Sequence, residues 1–203
     1  MKAVVYVDGF NLYYGALKDT PFRWLNLDSL CRKLLPQDEI VMIRYFTALV
    51  KPRQQNRDQQ NRQRFYLRAL QTLPNIQIHL GSFLSHAVRR PLADGSGSAQ
   101  IIETREKGSD VNLAVYMVHD AHMNLCDASV MVSGDSDLLE AIRIVRRNLG
   151  KTVGIIAPHS DLSHAFKAEA SFVKIIRKSA LRDSQFPDIM SDSKGAFHKP
   201  PSW

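Results

Sequence analysis

The chain has 203 residues, 44% hydrophobic and 23% charged, which suits one soluble domain with a sizeable core rather than two small ones. No apolar run approaches the roughly 18 residues of a membrane span, and the short stretch after Lys2 is no secretory signal, so a cytoplasmic protein without a membrane partner is expected. Two distant cysteines, Cys31 and Cys126, offer neither a zinc motif nor a disulfide framework and read as structural.

The formal charge of +7 is clustered. One group is Lys51, Arg53, Arg57, Arg62, Arg64 and Arg68. A second is Arg143, Arg146, Arg147 and Lys151, and a third is Lys174, Arg177, Lys178 and Arg182. A polyanionic partner accounts for these clusters, and so do solvated helix faces.

Residues 3–7 form an apolar strand that delivers Asp8 into Gly9-Phe10-Asn11, and a short helix follows over 11–17. Leu27, Leu30, Cys31, Leu34 and Leu35 recur at helical spacing until Pro36 ends them. Residues 40–50 should hold the second strand, closed by Lys51-Pro52. The stretch 54–71 is polar until Phe65, predicting a helix whose first half stands in solvent and whose Arg57, Arg62 and Arg64 could meet a nucleic-acid backbone.

Residues 76–80 alternate as a strand, and 83–88 with 101–105 predict a peripheral hairpin around a mobile tip at 93–98. That tip lacks the lysine and hydroxyl of a P-loop. The helix over 111–119 is apolar on nearly every side, predicting burial, and Asp110 stands at its start.

Residues 128–132 form another buried strand, ending in Ser133-Gly134-Asp135-Ser136-Asp137 at the head of a helix marked by Leu138, Leu139, Ile142, Val145 and Leu149. A strand at 152–156, a short helix at 162–168 and an edge element at 172–176 complete the pattern. Strands alternating with helices imply an α/β domain with a mostly parallel sheet and helices on both faces. From 179 to 203 the composition predicts a basic, poorly ordered tail.

Singly, each acid has an ordinary explanation: Asp135 caps a helix, Asp137 lies in its first turn, and Ser109 or Asp110 caps the buried helix. Asp8 is harder to place so, because a carboxylate ending a central strand is costly unless paired or on a metal. Together, acids at strand ends converge at one edge of a parallel sheet, and a divalent cation relieves their repulsion. Oxygen donors without a His or Cys cluster favour Mg2+ or Mn2+ over zinc, and such an ion activates water towards a phosphate ester.

Val7-Asp8-Gly9-Phe10-Asn11, Lys107-Gly108-Ser109-Asp110-Val111 and Ser133-Gly134-Asp135-Ser136-Asp137, in this order over residues 1–178, resemble the NYN domain family of PIN-like ribonucleases, especially its bacterial LabA-like branch. The resemblance implies a PIN-like three-layer sandwich and metal-dependent endonucleolytic cleavage of RNA. It implies Asp8, Asp110 and Asp135 as metal ligands, with Asp137 completing the acidic cluster. Asn11 and Ser133 would orient ligands and water, and Lys107 would meet a substrate phosphate. Capping, turn and solvent-facing roles serve these last three equally well.

A non-catalytic RNA-binding or regulatory module with the same pocket is the alternative. DNA is an open second substrate, and a homodimer would let two basic domains line one groove. A haloacid-dehalogenase phosphatase is disfavoured by Asp8-Gly9-Phe10, which lacks that family's two spaced aspartates. A dinucleotide site is disfavoured because no GxGxxG follows the first strand.

Overall fold

Strand β1 (Lys2–Asp8) is buried on both faces and forms the axis of the protein. A computed structural model describes residues 1–50, 58–160, 162–201 and 203. After β1 come α1 (Gly9–Leu12), continued by a π-helical turn (Tyr13–Leu17), then α2 (Leu27–Leu34), β2 (Glu39–Ala48) and α3 (Gln59–Leu70). The hairpin β3 (Ile76–Pro91) and β4 (Ser98–Lys107) leads into α4 (Ser109–His122) and β5 (Ala128–Val132). A 3-10 turn (Ser136–Leu138), α5 (Leu139–Arg143) and a π-helical turn (Ile144–Asn148) precede β6 (Thr152–Ala157), α6 (His164–Glu169) and β7 (Phe172–Ile175). The chain closes with α7 (Lys178–Arg182) and the small hairpin of β8 (Ile189–Asp192) and β9 (Gly195–His198).

Seven strands form one sheet in the order β4-β3-β2-β1-β5-β6-β7, parallel throughout except for the β3–β4 pair. The period of two divides β1 between two cores. Ala3, Val5 and Val7 pack with Leu12, Leu30, Tyr66 and Leu70 on one face. Val4 and Tyr6 pack with Leu113, Met117, Ile142 and Phe166 on the other. The result is a three-layer α/β sandwich. After β1 the chain builds outward to β2 and β3, then returns to place β5 on the other side of β1. The switch point therefore lies between β1 and β5, and their carboxyl ends open a crevice there.

Three expectations need correction. Helix α4 is not buried all round: Leu113 and Met117 are buried, but Val111 and Val115, one turn apart on the opposite face, are 66% and 60% exposed. The tail expected at 179–203 is instead part of the fold, because Phe186 and Phe197 bury against the core and Trp203 lies 6.0 Å from Trp24, ring to ring. The predicted separate strands at 76–80 and 83–88 are one strand. Residues 76–81 of β3 pair with β2, and 82–91 run on to pair with β4 beyond the sheet.

Lys51, Arg53 and Arg57 lie outside the described residues. No helix among the described residues is long and apolar enough to cross a membrane.

Candidate active site at the carboxyl ends of the central strands

The two corners predicted from the sequence are adjacent because Val7 of β1 pairs with Val132 of β5. Asp8 caps α1 by accepting from the Asn11 amide at 2.9 Å. Its second oxygen accepts from the Ser133 hydroxyl at 3.1 Å. Ser133, fully buried, also accepts from the Asp135 amide at 3.1 Å. The Asn11 side chain accepts from the Gly134 amide at 2.9 Å, tying the first corner to the second. Asp135 then accepts from the Asp137 amide at 3.0 Å and caps the following turn.

The third acid arrives from the hairpin. Gly108, at φ +100°, turns the chain from β4 into α4, and Ser109 donates through its amide and hydroxyl to Glu106 at 3.1 and 2.7 Å. Asp110 follows at the head of the helix and faces the same groove. That groove, about 810 Å³, is lined by Asp8, Asn11, Glu106, Asp110, Asp135 and His159.

The carboxylates feel one another. Asp110 is pushed up to about 6, first by partial burial and then by the charges of Asp8, Asp135, Glu106 and Asp137. Asp8, only 4% exposed, is also raised: burial outweighs the Asn11 and Ser133 hydrogen bonds that favour its charged form. Asp8, Glu106, Asp110 and Asp135 concentrate negative charge in this groove although the net charge of the chain is +7. In their present positions, no three His, Cys, Asp or Glu side chains among the described residues stand close enough to hold one ion, so Asp8, Asp110 and Asp135 are not a closed cage. The donor set is nevertheless all oxygen, which suits a hard cation that retains water and binds through one or two carboxylates.

A sequence model of the NYN domain family matches residues 2–176. The chain belongs to the NYN domain family. This NYN domain protein is also similar to 6-hydroxy-3-succinoylpyridine 3-monooxygenase HspA of Pseudomonas putida, with 27% identity over 238 aligned residues that cover 100% of this chain and 75% of that protein. Among solved structures it resembles the crystal structure of VPA0982, a protein of unknown function from Vibrio parahaemolyticus. That likeness has a TM-score of 0.54 at 18% identity, covers 87% of this chain and 93% of the other, and bears on the fold alone. The fold is the PIN-like sandwich that the motifs implied.

Within the NYN domain, the structure brings Asp8, Asn11, Asp110 and Asp135 to the groove and sets Ser133 directly behind it. Asp137 is exposed beside the groove and acts on Asp110 by charge. Lys107 is exposed on β4, and neither it nor Arg64 lines the groove. Arg62 lines a neighbouring recess, and Arg57 is outside the described residues.

Much of the remaining basic charge is engaged inside the molecule. Arg143 and Arg147 both reach Glu169, and Arg68 pairs with Asp192 at 2.7 Å. These side chains therefore hold elements together, whatever else they contact.

Sequence reasoning missed Glu106, His159 and the wall supplied by Phe83, Ser85 and Thr104 of the hairpin. Glu106 stood four residues before Asp110, which was a usable signal. His159 had none, since only the tertiary fold brings it to Gly134, where an added Cβ would lie 2.9 Å from its ring nitrogen.

Proposed function

We propose that this protein is a metal-dependent endoribonuclease that hydrolyses RNA phosphodiester bonds with Mg2+ or Mn2+. The observation that carries this reading is the meeting of carboxylates from three separate chain segments in one groove, with Asp110 raised to about 6 by its burial and then by their charges. An acidic groove repels a phosphate unless a cation lies between them, and the basic excess elsewhere on the chain favours an anionic polymer.

Asp8, Asp110 and Asp135 would hold the cation in this scheme, with Asp8 and Asp135 fixed by the Asn11, Ser133 and Asp137 hydrogen bonds and Glu106 beside them on the groove wall. A bound Mg2+ or Mn2+ would polarise a phosphoryl oxygen and lower the pKa of water. Asn11 and Ser133 keep the two strand ends in register. Asp110 faces the same groove and would share in neutralising the cation.

The test is cleavage of end-labelled single-stranded RNA and matched DNA in Mg2+, Mn2+ or EDTA. Metal-dependent RNA cutting is expected, reduced roughly a hundredfold or more in Asp8→Asn and Asp135→Asn, the scale of losing a group that orients the reacting water. Full activity of a highly purified Asp135→Asn protein overturns the assignment. RNA binding that persists in EDTA with no product under either metal supports the binding-module reading instead.

The name of the Pseudomonas relative favours a second reading, oxygenation of a small hydroxypyridine acid. Its test is consumption of 6-hydroxy-3-succinoylpyridine with dioxygen and a two-electron donor such as NADH. Turnover there without RNA cleavage would replace the first reading.

A further inference from the structure

The arm formed by β3 and β4 consists of two strands alone. Its residue pairs, from Ser82 with Lys107 to Pro91 with Ser98, run without a bulge, and all lie past the point where β3 leaves β2. A two-stranded hairpin is marginally stable in water and gains from a third strand or a packed face. Among the described residues no strand pairs with the outer edge of β4, so the backbone amides and carbonyls on that edge are open to another chain. The middle of β4 is apolar and open as well: Ile102 is 78% exposed and Ile101 44%, with Leu84 of β3 at 55%.

The sequence of β4 identifies the strand that fits there. Glu103-Thr104-Arg105 is complementary to itself when read antiparallel. With Thr104 facing Thr104 of a second copy, Glu103 faces Arg105 of that copy and Arg105 faces its Glu103. Opposite charges and paired threonines across strands are favourable, and like charges directly opposite are not. Opposed residues of antiparallel strands point to the same side of the sheet, so a two-fold axis between two copies of β4 must pass through a residue and not between two. An axis at Glu103 or Arg105 sets like charges face to face, and one at Ile102 forms no charge pair. Of these central positions, charge selects Thr104. Within one copy Arg90 and Arg105 share Glu103, each at 2.9 Å, and pairing across the axis joins the two sets into one network.

We propose that two copies of this chain associate through β4, antiparallel about a two-fold axis at Thr104, so that their sheets run on as one. Thr104 and Glu106 line the carboxylate groove. An axis perpendicular to the joined sheet leaves each copy's sides unchanged, so the two grooves open on one side and flank the shared strands. The pairing holds whatever reaction the grooves carry out.

The experiment is sedimentation velocity of the full chain at micromolar concentrations, where a reversible dimer is expected. Glu103→Arg and Arg105→Glu each set like charges opposite one another twice and should weaken association by at least about tenfold. The double variant restores both pairs and should recover the association of the wild type. Cysteine linking reads the register independently of charge. Cys31 and Cys126 are buried, so the wild type presents no exposed thiol. Thr104→Cys should give a disulfide-linked dimer under mild oxidation. Ile102→Cys should not, because an axis at Thr104 holds the two copies of that position at least about 13 Å apart, four residues along the strands.

A wild type that stays monomeric up to about 1 mM, the weak end of the affinity scale, overturns the inference. So does a dimer indifferent to both charge reversals, or failure of Thr104→Cys to link. A monomeric wild type whose hold on single-stranded RNA weakens with Arg105→Glu assigns the arm to nucleic acid instead.

Discussion

Asn11 acts with both halves of the residue, its amide donating to Asp8 and its side-chain oxygen accepting from Gly134. Asn11→Ala keeps the first bond and loses the second, so stability should fall by only about 1 kcal/mol while cleavage falls much further. Urea denaturation and single-turnover assays on the same sample check that split. Asp110 predicts a pH signature. Its carboxyl is raised from 3.8 to about 6 in the folded protein, so the folded state binds the extra proton between those values. Stability therefore falls as pH rises from about 4 through 6. Asp110→Asn should stabilise the folded state at pH 8 by of order 1 kcal/mol in urea denaturation, after allowance for solvent screening, with the difference vanishing near pH 4. A benefit that grows on acidification would refute this. Gly9 is fixed by sterics alone, since a Cβ there would lie 2.7 Å from the Tyr45 ring and 2.8 Å from the Phe46 carbonyl.

Helix α4 has two tasks at its two ends. Its first turn presents Asp110 to the groove, and its buried face carries Asp120, fully enclosed, which accepts from Arg44 Nε at 2.6 Å and Nη2 at 2.9 Å. The Tyr6 hydroxyl donates to the same carboxylate at 3.0 Å, and the Arg44 guanidinium lies 4.5 Å from the Tyr116 ring centre. This network joins β1, β2 and α4, so it fixes the helix that positions Asp110. Asp120→Ala leaves Arg44 buried and unpaired and should cost about 3–5 kcal/mol by urea denaturation. The hairpin has a comparable double role. The part of β3 that pairs with β2 completes the sheet, and the continuation with β4 brings Phe83, Ser85, Thr104 and Glu106 to one wall of the groove.

At the scale of the molecule, the C-terminal segment closes one face of the sandwich. Trp24, fully buried, lies 5.9 Å from Phe186 and 6.0 Å from Trp203 by ring centres, and its indole donates to the Pro187 carbonyl at 2.9 Å. Arg68 of α3 reaches Asp192 and lies 4.2 Å from the Phe197 ring centre. Phe197→Ala should therefore destabilise the whole domain by about 3–5 kcal/mol, as a core truncation does, and not merely loosen the end of the chain. A loss within 0.5 kcal/mol in urea denaturation would show that the segment is dispensable, the level of an ordinary surface change.

The strands at 3–7 and 128–132 and the acids that end them were legible in the sequence, because a buried parallel strand needs a continuous apolar run and a polar residue after it marks the corner. The amphipathic helix of 27–35 was legible from spacing, whereas the apolar stretch 111–119 marked a helix but not its faces, since Val111 and Val115 are as apolar as the buried Leu113 and Met117 yet point outward. The segment after 178 was misread because its apolar residues are sparse: Phe186, Phe197 and Trp203 carry no periodicity, and they bury only because Trp24 and Tyr66 offer a partner surface. His159 and the hairpin wall come from segments far apart in sequence, and no local pattern joins them. By itself the sequence determined the alternation of strands and helices and the carboxylates at their corners, since local polarity and periodicity encode both. Which corners meet, how closely their charges repel and which rings stand beside them were decided only by strand order and packing, because these are contacts between distant parts of the chain.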